Sequence, residues 1–406
     1  MAYKSIIVPV RYKLHHRYEG ELSAKILYLS DTIVDFRFYE EGEYIDRIEL
    51  ICNVGTWKSS RSTWELDNIK TALEILLQKD FSTPHTMEEK TVWRVLSPPE
   101  KELFCFQALV SRGWVNEAAT GQIILSEPLI TLFDYLDQKI RRFALSELKA
   151  VEYQYPTLIP KSTVDLCGYV DNSAHLLYYV NSLHHDPQTY CEFQKNRKSS
   201  PSKINRYLRE ETEYCLPPTM CYHTYHQFRG KELPRPFVVT SRGKSFRNEE
   251  RYAIGMERMV DFTIREIVFF GNYRFVQSVR ELLIDFGAKL FQDLHIAGYC
   301  SSASDMFFLA DNAETTIKMQ KQLKFKLEFR AYLGSEKDVS IGSVNYHDSF
   351  FSRNFQLSMK ETPYLVSGCA GFGLERLVYA FISQNGIDPQ KWPISLEKMR
   401  GGLFDE

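Results

Sequence analysis

The sequence predicts an α+β fold, in which an antiparallel β-sheet is flanked by helices and a separate α+β domain precedes it. Two observations lead to this prediction. Strand-like segments occur in groups, at 4–52 and again between 235 and 346, and helical periodicity lies between and after these groups. The pattern also differs from the regular alternation of strand and helix that builds a parallel sheet.

The N-terminal domain is predicted to span residues 1–128. Its strands at 4–52 are rich in β-branched and aromatic residues, and a helical period begins near Thr63. The apolar positions of that helix share one face: Leu66, Ile69, Leu73, Leu76 and Leu77. A second helix is predicted directly before Pro98. This domain carries no motif that indicates a function.

The C-terminal domain is predicted to span residues 129–406. It opens with a long amphipathic helix over 129–153, and a second helix occupies 275–294. The strand-like segments lie between and after these helices. A final helix begins near Gly373, and Gly386 is predicted to end it, because glycine readily adopts the left-handed conformation found after helix ends.

Composition indicates a soluble globular protein. The chain has 406 residues, of which 44% are hydrophobic and 25% are charged. No apolar run is long enough to cross a bilayer, and the short N-terminal run is interrupted by charge, so we expect neither a membrane segment nor a secretory signal. The eight cysteines are scattered without a C-x-x-C pair. We therefore expect reduced thiols and a cytoplasmic location.

Charge gives no general indication of nucleic-acid binding. The net charge is −2, and residues 1–150 hold 19 Lys and Arg against 22 Asp and Glu. One segment, 195–209, has six basic residues and no acidic one, and its Ser and Pro residues predict an exposed, irregular conformation. It is either a solvated loop or a docking patch for an acidic partner.

Two motifs could bind phosphate. Arg247 and Glu249 lie two positions apart on a predicted strand, so both side chains point to the same face. A guanidinium there could bind a phosphate, although a surface ion pair is the alternative. The segment 367–376 has glycines at positions 368, 371 and 373, which let the backbone approach a ligand, and Arg376 follows in the first turn of a helix. It matches neither the dinucleotide fingerprint nor a P-loop.

A third group of residues could bind a metal. Cys221, Glu266 and Cys369 would supply two thiolates and one carboxylate, which suits a tetrahedral Zn²⁺ site with one open position. A lone cysteine is more often a buried apolar residue. His223 and His226 are alternative ligands that the sequence leaves open.

Taken together, these motifs resemble those of class II aminoacyl-tRNA synthetases. The resemblance covers about Tyr153–Pro393. It is strongest to the zinc-dependent archaeal-type seryl-tRNA synthetases and to their truncated relatives, the amino acid:[carrier protein] ligases. The similar segments follow the family's order: motif 1 at 155–173, a cysteine segment at 219–233, motif 2 at 245–271, pocket segments at 302–310 and 324–329, and motif 3 at 367–381. The resemblance implies the class II antiparallel sheet and a homodimer.

The family's catalytic roles can be carried over to matching positions. The resemblance implies that Arg247 binds the α-phosphate of ATP and that Arg376 binds the γ-phosphate. It also implies that Glu249 orients the nucleotide or amino acid. Glu375 and Asn345 are further expected ATP-binding residues.

The resemblance also implies two metals. Cys221, Glu266 and Cys369 would bind the zinc that takes the amino group of a small amino acid such as glycine, alanine or serine. Mg²⁺ would accompany the phosphates of ATP. Its ligands are left open, because Asp338 and Asp348 stand only at the ends of the strand before motif 3.

The acceptor of the activated amino acid separates three hypotheses. The acidic balance of residues 1–150 and the basic segment 195–209 favour transfer to the phosphopantetheine thiol of an acidic carrier protein. The first alternative is a zinc-dependent seryl-tRNA synthetase-like enzyme that charges tRNA, since such enzymes also have an α+β N-terminal domain. The third hypothesis is a non-catalytic sensor of amino acid or nucleotide.

Overall fold

The computed structural model describes most of the chain. The described residues are 3–26, 29–30, 32–54, 62–81, 91–99, 106–196, 205–209, 213–303, 326–335, 337–360, 362 and 364–404. The predicted pocket segment at 302–310 lies mainly outside these ranges, as do residues 197–204 of the basic segment. The described residues fall into two compact units, one before residue 90 and one after it.

The first unit packs helices on one face of a three-stranded antiparallel sheet with the order β1-β3-β2. Its elements are β1 (Tyr3–His15), α1 (Glu19–Ile26), β2 (Ile33–Glu41), β3 (Tyr44–Asn53) and α2 (Ser62–Phe81). Leu73 and Leu77 of α2 are buried against Val8 and Ile48 of the sheet. The alternating pattern of the strands and the predicted helical face are thereby both confirmed.

The second unit has a larger set of elements. They are β4 (Thr91–Val95), α3 (Phe106–Ser111), β5 (Val115–Ala119), β6 (Gln122–Leu125), α4 (Leu129–Ser146), β7 (Val151–Glu152), β8 (Ile159–Pro160), α5 (Lys161–Leu166), α6 (Tyr169–Ser173), β9 (Tyr179–Val180), α7 (Pro187–Asn196), β10 (Tyr214–Cys215), α8 (Cys221–Phe228), β11 (Glu232–Leu233), β12 (Phe237–Phe246), β13 (Asp261–Gly271), α9 (Tyr273–Asp293), β14 (Gly298–Ala303), β15 (Lys326–Tyr332), β16 (Asp338–Asp348), α10 (Phe350–Asn354), β17 (Ser358–Met359), β18 (Val366–Gly373), α11 (Leu374–Asn385) and α12 (Leu396–Phe404). Short 3₁₀ turns cover His16–Tyr18, Ala174–Leu176, Glu250–Tyr252 and Pro389–Lys391.

An eight-stranded sheet organises the second unit, with the order β4-β14-β15-β16-β18-β13-β12-β7. Its neighbouring strands pair antiparallel except for β12 and β7, which pair in parallel. The predicted α+β class with an antiparallel sheet is therefore confirmed. The central strands β16, β18 and β13 come from distant parts of the sequence, so the sheet brings together residues that the sequence separates.

Helices α4, α9 and α11 cover one face of this sheet. Leu132, Val276 and Leu377 belong to the large apolar core on that side, which also contains Phe329 and Phe372 from the sheet. Gly386, directly after α11, has a φ of 81°, as we predict for the residue that ends this helix. The opposite face of β13 and β18 packs on a second core with α5, α8 and α10.

The covered face also holds a buried ion-pair network. The Arg265 guanidinium on β13 donates to both carboxylate oxygens of Asp137 on α4, at 2.7 and 2.8 Å, and to Glu152 on β7 at 2.8 Å. The side chains of Arg265 and Asp137 are only 3% and 1% exposed. This network ties the central strand to the helix and to the sheet edge.

The structure corrects three predicted elements and places the division of the chain differently. Glu19–Ile26, inside the segment 4–52 predicted as strands, forms α1, and the helix predicted over 129–153 ends at Ser146, before β7. The segment before Pro98 is predicted as a helix, but Thr91–Val95 forms β4 and pairs with β14 at the sheet edge. The residues from 91 to 125 belong to the second unit, whereas we predict a domain boundary at 128. The reason is long-range packing, because Val95 and Val115 are buried in the large core. Among the described helices, none combines the length and apolarity that a membrane span needs.

Candidate active site

Three potential metal ligands meet on the second face of the sheet. Cys221 begins α8, Glu266 lies in the middle of β13, and Cys369 lies in β18. All three side chains are buried, and their ligand atoms lie within 4.8 Å of one another. The structure thus brings together the three residues that the sequence analysis proposes as zinc ligands.

Strand register explains this meeting. Glu266 is paired with Gly371, and Val268 is paired with Cys369, so Glu266 and Cys369 lie on neighbouring strands two positions apart on the same face. A Cβ at position 371 would lie 3.3 and 3.4 Å from the two carboxylate oxygens of Glu266. Gly371 therefore leaves the space that the Glu266 carboxylate occupies.

The electrostatics of this cluster favour a bound cation. Burial raises the pKa of Glu266 to about 7, although hydrogen bonds with Cys369 and Thr219 favour its charged form. A hydrogen bond with Cys221, burial and the charge of Glu266 raise the pKa of Cys369 well above its ordinary value. Three acidic groups crowded in a buried site are costly to ionise without a compensating charge, and two sulfurs with one oxygen suit Zn²⁺.

The alternative histidine ligands have other surroundings. His226 Nδ1 lies 2.7 Å from Thr163 Oγ1. The His223 ring stacks on Tyr155 with 5.5 Å between ring centroids, and burial lowers the pKa of His223 to about 4. Neither histidine belongs to the cluster that the described residues form around Cys221.

Polar side chains contact the cluster from two sides. The Thr219 hydroxyl donates to Glu266 Oε2 at 3.2 Å and lies 3.6 Å from Cys221 Sγ. On the other side, Asn345 Nδ2 contacts Cys369 Sγ at 3.5 Å and Ser343 Oγ at 3.2 Å. Asn345 is proposed from the sequence as an ATP-binding residue, and its amide lies directly beside a potential metal ligand.

Arg258 and Arg376 lie near Glu249. Arg247 and Glu249 follow the end of β12 at Phe246, instead of lying on the strand as predicted. The Arg258 guanidinium lies 4.0 Å from Glu249 Oε2. Burial lowers the pKa of Arg376 to about 10, the charge of Glu249 opposes this shift, and the charges of Arg247 and Arg258 add to it. Guanidinium groups that repel one another around a single carboxylate form a ready binding site for a polyanion such as a nucleotide phosphate chain.

Backbone carbonyls orient two of these arginines. Arg247 Nε donates to the carbonyl of Pro218 at 3.3 Å, and its guanidinium lies 5.6 Å from the ring centroid of Phe262. Arg376 Nη1 donates to the carbonyl of Ser340 at 3.1 Å. These contacts fix the position of both guanidinium groups.

Arg258 is a functional candidate that sequence reasoning missed. It lies three residues before the start of β13, inside the same segment, 245–271, that supplies Arg247 and Glu249. The sequence feature that could have identified Arg258 is a basic residue near the end of the connection between the paired strands β12 and β13. That signal becomes informative only when the pairing of the strands is known.

The Glu375 carboxylate is hydrogen-bonded to the neighbouring strand β13. The carboxylate accepts hydrogen bonds from the Thr263 backbone N–H at 2.8 and 3.0 Å and from the Thr263 hydroxyl at 2.8 Å. Lys244 Nζ lies 3.7 Å from the same carboxylate. Glu375 therefore fixes the start of α11, and with it Arg376, against β13.

The two parts of the site lie on the same face of the sheet. The Arg247 guanidinium lies over the ring of Phe262, which points to the same face of β13 as Glu266, and its charge opposes the raised pKa of Glu266. The site therefore combines an anion-binding group of arginines with a potential metal centre.

The candidate Mg²⁺ ligand Asp338 already accepts hydrogen bonds from Arg330, at 2.6 and 2.8 Å, and from the Tyr299 hydroxyl at 2.7 Å. The other candidate, Asp348, accepts a hydrogen bond from the Tyr346 hydroxyl at 3.3 Å.

Comparison with protein families defines the class of this site. Residues 203–385 match the family model described as the tRNA synthetase class II core domain of the G, H, P, S and T enzymes. This range contains the arginine group and the Cys–Glu–Cys cluster. The chain therefore carries a class II tRNA synthetase core domain.

Its curated homologues are archaeal-type seryl-tRNA ligases. The chain is 26% identical over 304 residues to the type-2 serine–tRNA ligase of Methanocaldococcus jannaschii, which covers 71% of this chain and 58% of that protein. It is 28% identical over 298 residues to the corresponding ligase of Methanococcus aeolicus, with 69% and 56% coverage. The matches thus span less than three fifths of these relatives.

Solved structures share the fold. The M. kandleri SerRS, solved in complex with A. aeolicus tRNASec, has a TM-score of 0.70 and 18% identity, and the match covers 99% of this chain and 78% of that chain. The cytoplasmic serine–tRNA ligase of Naegleria fowleri, solved with AMP, has a TM-score of 0.59 and 13% identity, with 84% and 72% coverage.

These relatives correct the predicted acceptor. The prediction that the acceptor is a phosphopantetheinylated carrier protein, which rests on charge, is wrong, because the curated relatives are serine–tRNA ligases. Net charge describes only the average field of a surface, whereas an acceptor is recognised by local geometry.

Proposed function

We propose that this protein activates serine with ATP and transfers the seryl group to tRNA. The observation that carries the proposal is that Arg247 and a Cys–Glu–Cys cluster lie on one face of the sheet, where the Arg247 guanidinium contacts Phe262 on the strand that carries Glu266. An adenylate-forming site needs both parts, because it must bind phosphates and position an amino acid beside them. The seryl-tRNA ligase names of the relatives support the choice of serine and tRNA.

The first step joins the amino-acid carboxylate to the α-phosphate of ATP and releases pyrophosphate. Arg247 would bind the α-phosphate and stabilise the charge that develops on its oxygens. Arg258 and Arg376 would hold the remaining phosphates, which bind as a Mg²⁺ complex. Glu249 keeps these guanidinium groups together before ATP arrives. The second step transfers the acyl group to a ribose hydroxyl at the 3′ end of tRNA and releases AMP.

Cys221, Glu266 and Cys369 would hold Zn²⁺ at the amino-acid end of the site. When bound, the zinc supplies a Lewis acid with an open position for a neutral amino group. Thr219 and Asn345 contact the ligand atoms and would keep them oriented. The amino acid would then lie with its carboxylate toward Arg247.

The test is amino-acid-dependent ATP–pyrophosphate exchange across a panel of amino acids, with and without a zinc chelator. We expect exchange with serine that is lost on chelation and restored by zinc. Labelled serine should then be transferred to tRNA in the presence of the enzyme. Exchange with a different amino acid would overturn the substrate, and absence of exchange with the whole panel in zinc-loaded protein would overturn the activity.

A further inference from the structure

A β-bulge places His347 beside the potential metal centre. The pairing of β16 with β18 passes from Tyr346–Gly368 to Asp348–Ser367, so β16 accommodates one extra residue at His347. The following residue, Asp348, has a φ of 50°, which belongs to the left-handed region. Bulges redirect side chains and are common beside active sites.

The His347 ring connects Cys369 to a buried tyrosine. Its Nε2 lies 3.7 Å from Cys369 Sγ, and its Nδ1 lies 2.9 Å from the Tyr225 hydroxyl. The Tyr225 hydroxyl lies 3.1 Å from Ser367 Oγ. Tyr225 is completely buried. A continuous chain of polar contacts thus runs from the sulfur of a metal-ligand candidate into the protein core.

Aromatic packing fixes the orientation of both rings. Phe351 stacks on Tyr225 with 4.2 Å between centroids, and it contacts His347 edge to face at 4.7 Å. Phe270 contacts the Tyr225 ring edge to face, with 5.4 Å between ring centroids. Neither ring can rotate freely in this environment, so the contact between His347 and Cys369 is held in place before any ligand binds.

We propose that His347, oriented by Tyr225, is a positioning residue that donates a hydrogen bond to the metal-bound sulfur of Cys369. The inference rests on the metal centre of the proposed function. A metal-bound thiolate has no proton to give, so His347 must donate from Nε2. A neutral ring then has an acceptor at Nδ1. The Tyr225 hydroxyl is within donating distance of both Ser367 Oγ and His347 Nδ1, and in the proposed arrangement it donates to Nδ1.

This arrangement gives Cys369 two N–H donors from one strand. Asn345 and His347 lie two positions apart on β16, and their nitrogens lie 3.5 and 3.7 Å from Cys369 Sγ. Hydrogen bonds to a ligating atom hold it in position and withdraw negative charge from it. The metal should consequently be bound more tightly than it would be without these hydrogen bonds. It should also accept an amino group more readily.

Zinc affinity tests the proposal without an activity assay. Purified full-length protein and its variants are titrated with zinc against a competing chelator. His347→Leu should bind zinc about 10–100-fold more weakly than the parent protein. Tyr225→Phe, which keeps the ring and removes only the hydroxyl, should weaken binding in the same direction. His347→Gln should recover affinity, because its amide can donate from a position similar to Nε2.

A cobalt spectrum separates positioning from a general structural effect. In Co²⁺-loaded protein, removal of a hydrogen bond leaves the thiolate more electron-rich, so its sulfur-to-metal charge-transfer band should move to lower energy in His347→Leu and Tyr225→Phe. Tyr332→Phe, a change at another buried tyrosine, should leave both the band and the zinc affinity unchanged. Circular dichroism of each variant verifies folding.

The outcomes distinguish this inference from the proposed function. Unchanged zinc affinity and an unchanged cobalt band in both His347→Leu and Tyr225→Phe would overturn the role of His347 and leave the metal centre intact. A parent protein that binds zinc no better than Cys369→Ser would overturn the metal centre itself, and with it this inference.

Discussion

At the scale of single residues, the positive charges of Arg247 and Arg258 act on Arg376. The charge of Arg247 also opposes the raised pKa of Glu266 in the potential metal centre. On the proposed function, Arg247→Ala should preserve the fold and lower serine-dependent ATP–pyrophosphate exchange by about 10²–10³-fold, because Arg247 would stabilise charge on the α-phosphate. Initial rates of exchange at saturating substrates measure this loss.

Arg242→Ala provides the matched control on the same strand. Arg242 is on β12 as well, but its guanidinium pairs with Asp134 and Asp137 on α4, away from the arginine group. Its removal should leave exchange close to the parent rate. Equal losses in the two variants would contradict the assignment of Arg247 to the phosphates.

Sequence reasoning supplied most of the proposed site residues but not their surroundings. Residue spacing suggested a phosphate-binding Arg247 and a glycine-rich approach to Arg376, and the family resemblance supplied the Cys–Glu–Cys set. Arg258 and His347 were missed for a physical reason. Arg258 becomes significant through the pairing of β12 with β13, and His347 through a bulge, and neither is a local property of the sequence.

At the scale of elements, the ion pairs of Arg265 join β13 to α4 and β7. Arg265→Leu would leave the carboxylate of Asp137 buried without its main partner, and we expect it to lower the free energy of unfolding by about 3–5 kcal/mol. Urea denaturation of the two proteins measures the difference. Arg242→Leu removes an exposed partner of the same carboxylate and should cost less than about 1 kcal/mol.

The stability that Arg265→Leu removes should also depend on pH, because Glu152 is a second partner of Arg265. Burial disfavours the charged form of Glu152, but hydrogen bonds from Arg265 and Arg141 outweigh burial and lower the pKa of Glu152. A lowered pKa adds stability above the ordinary carboxyl pKa, and this stability disappears as the pH falls through the lowered value. The difference between the parent and Arg265→Leu should thus narrow in acid; a constant difference would contradict this origin.

Helices were easier to predict than the strand at the sheet edge. The periodicity of α4, α9 and α11 is local, and each helix begins near its predicted start, although α4 ends at Ser146, before the predicted end at 153. Residues 91–95 were predicted as part of a helix because a short apolar pattern is ambiguous. Pairing of β4 with β14, which lies far away in the sequence, decides the conformation.

At the scale of the whole molecule, the division into two compact units predicts stepwise unfolding. Zinc would bind only the second unit, which contains all three ligands. Chelation should therefore lower the unfolding temperature of one transition by about 10 °C and leave the other unchanged. Scanning calorimetry with and without chelator resolves the two transitions.

Tryptophan positions allow the transitions to be assigned. Trp57 and Trp64 precede residue 90, whereas the other tryptophans follow it. In a variant with Trp57→Phe and Trp64→Phe, fluorescence reports only the second unit, and it should follow the chelator-sensitive transition. A single transition that shifts as a whole would show that the two units unfold together.

The order of the metal ligands along the chain affects how the protein is made. Cys221 and Glu266 are synthesised well before Cys369, whose strand must insert between β13 and β16 to complete the set. Until β18 is synthesised and inserted, a nascent chain offers only two of the three ligands. Zinc capture therefore reports that the centre of the sheet is complete, and a ribosome-bound chain that stops before residue 369 should hold the metal poorly.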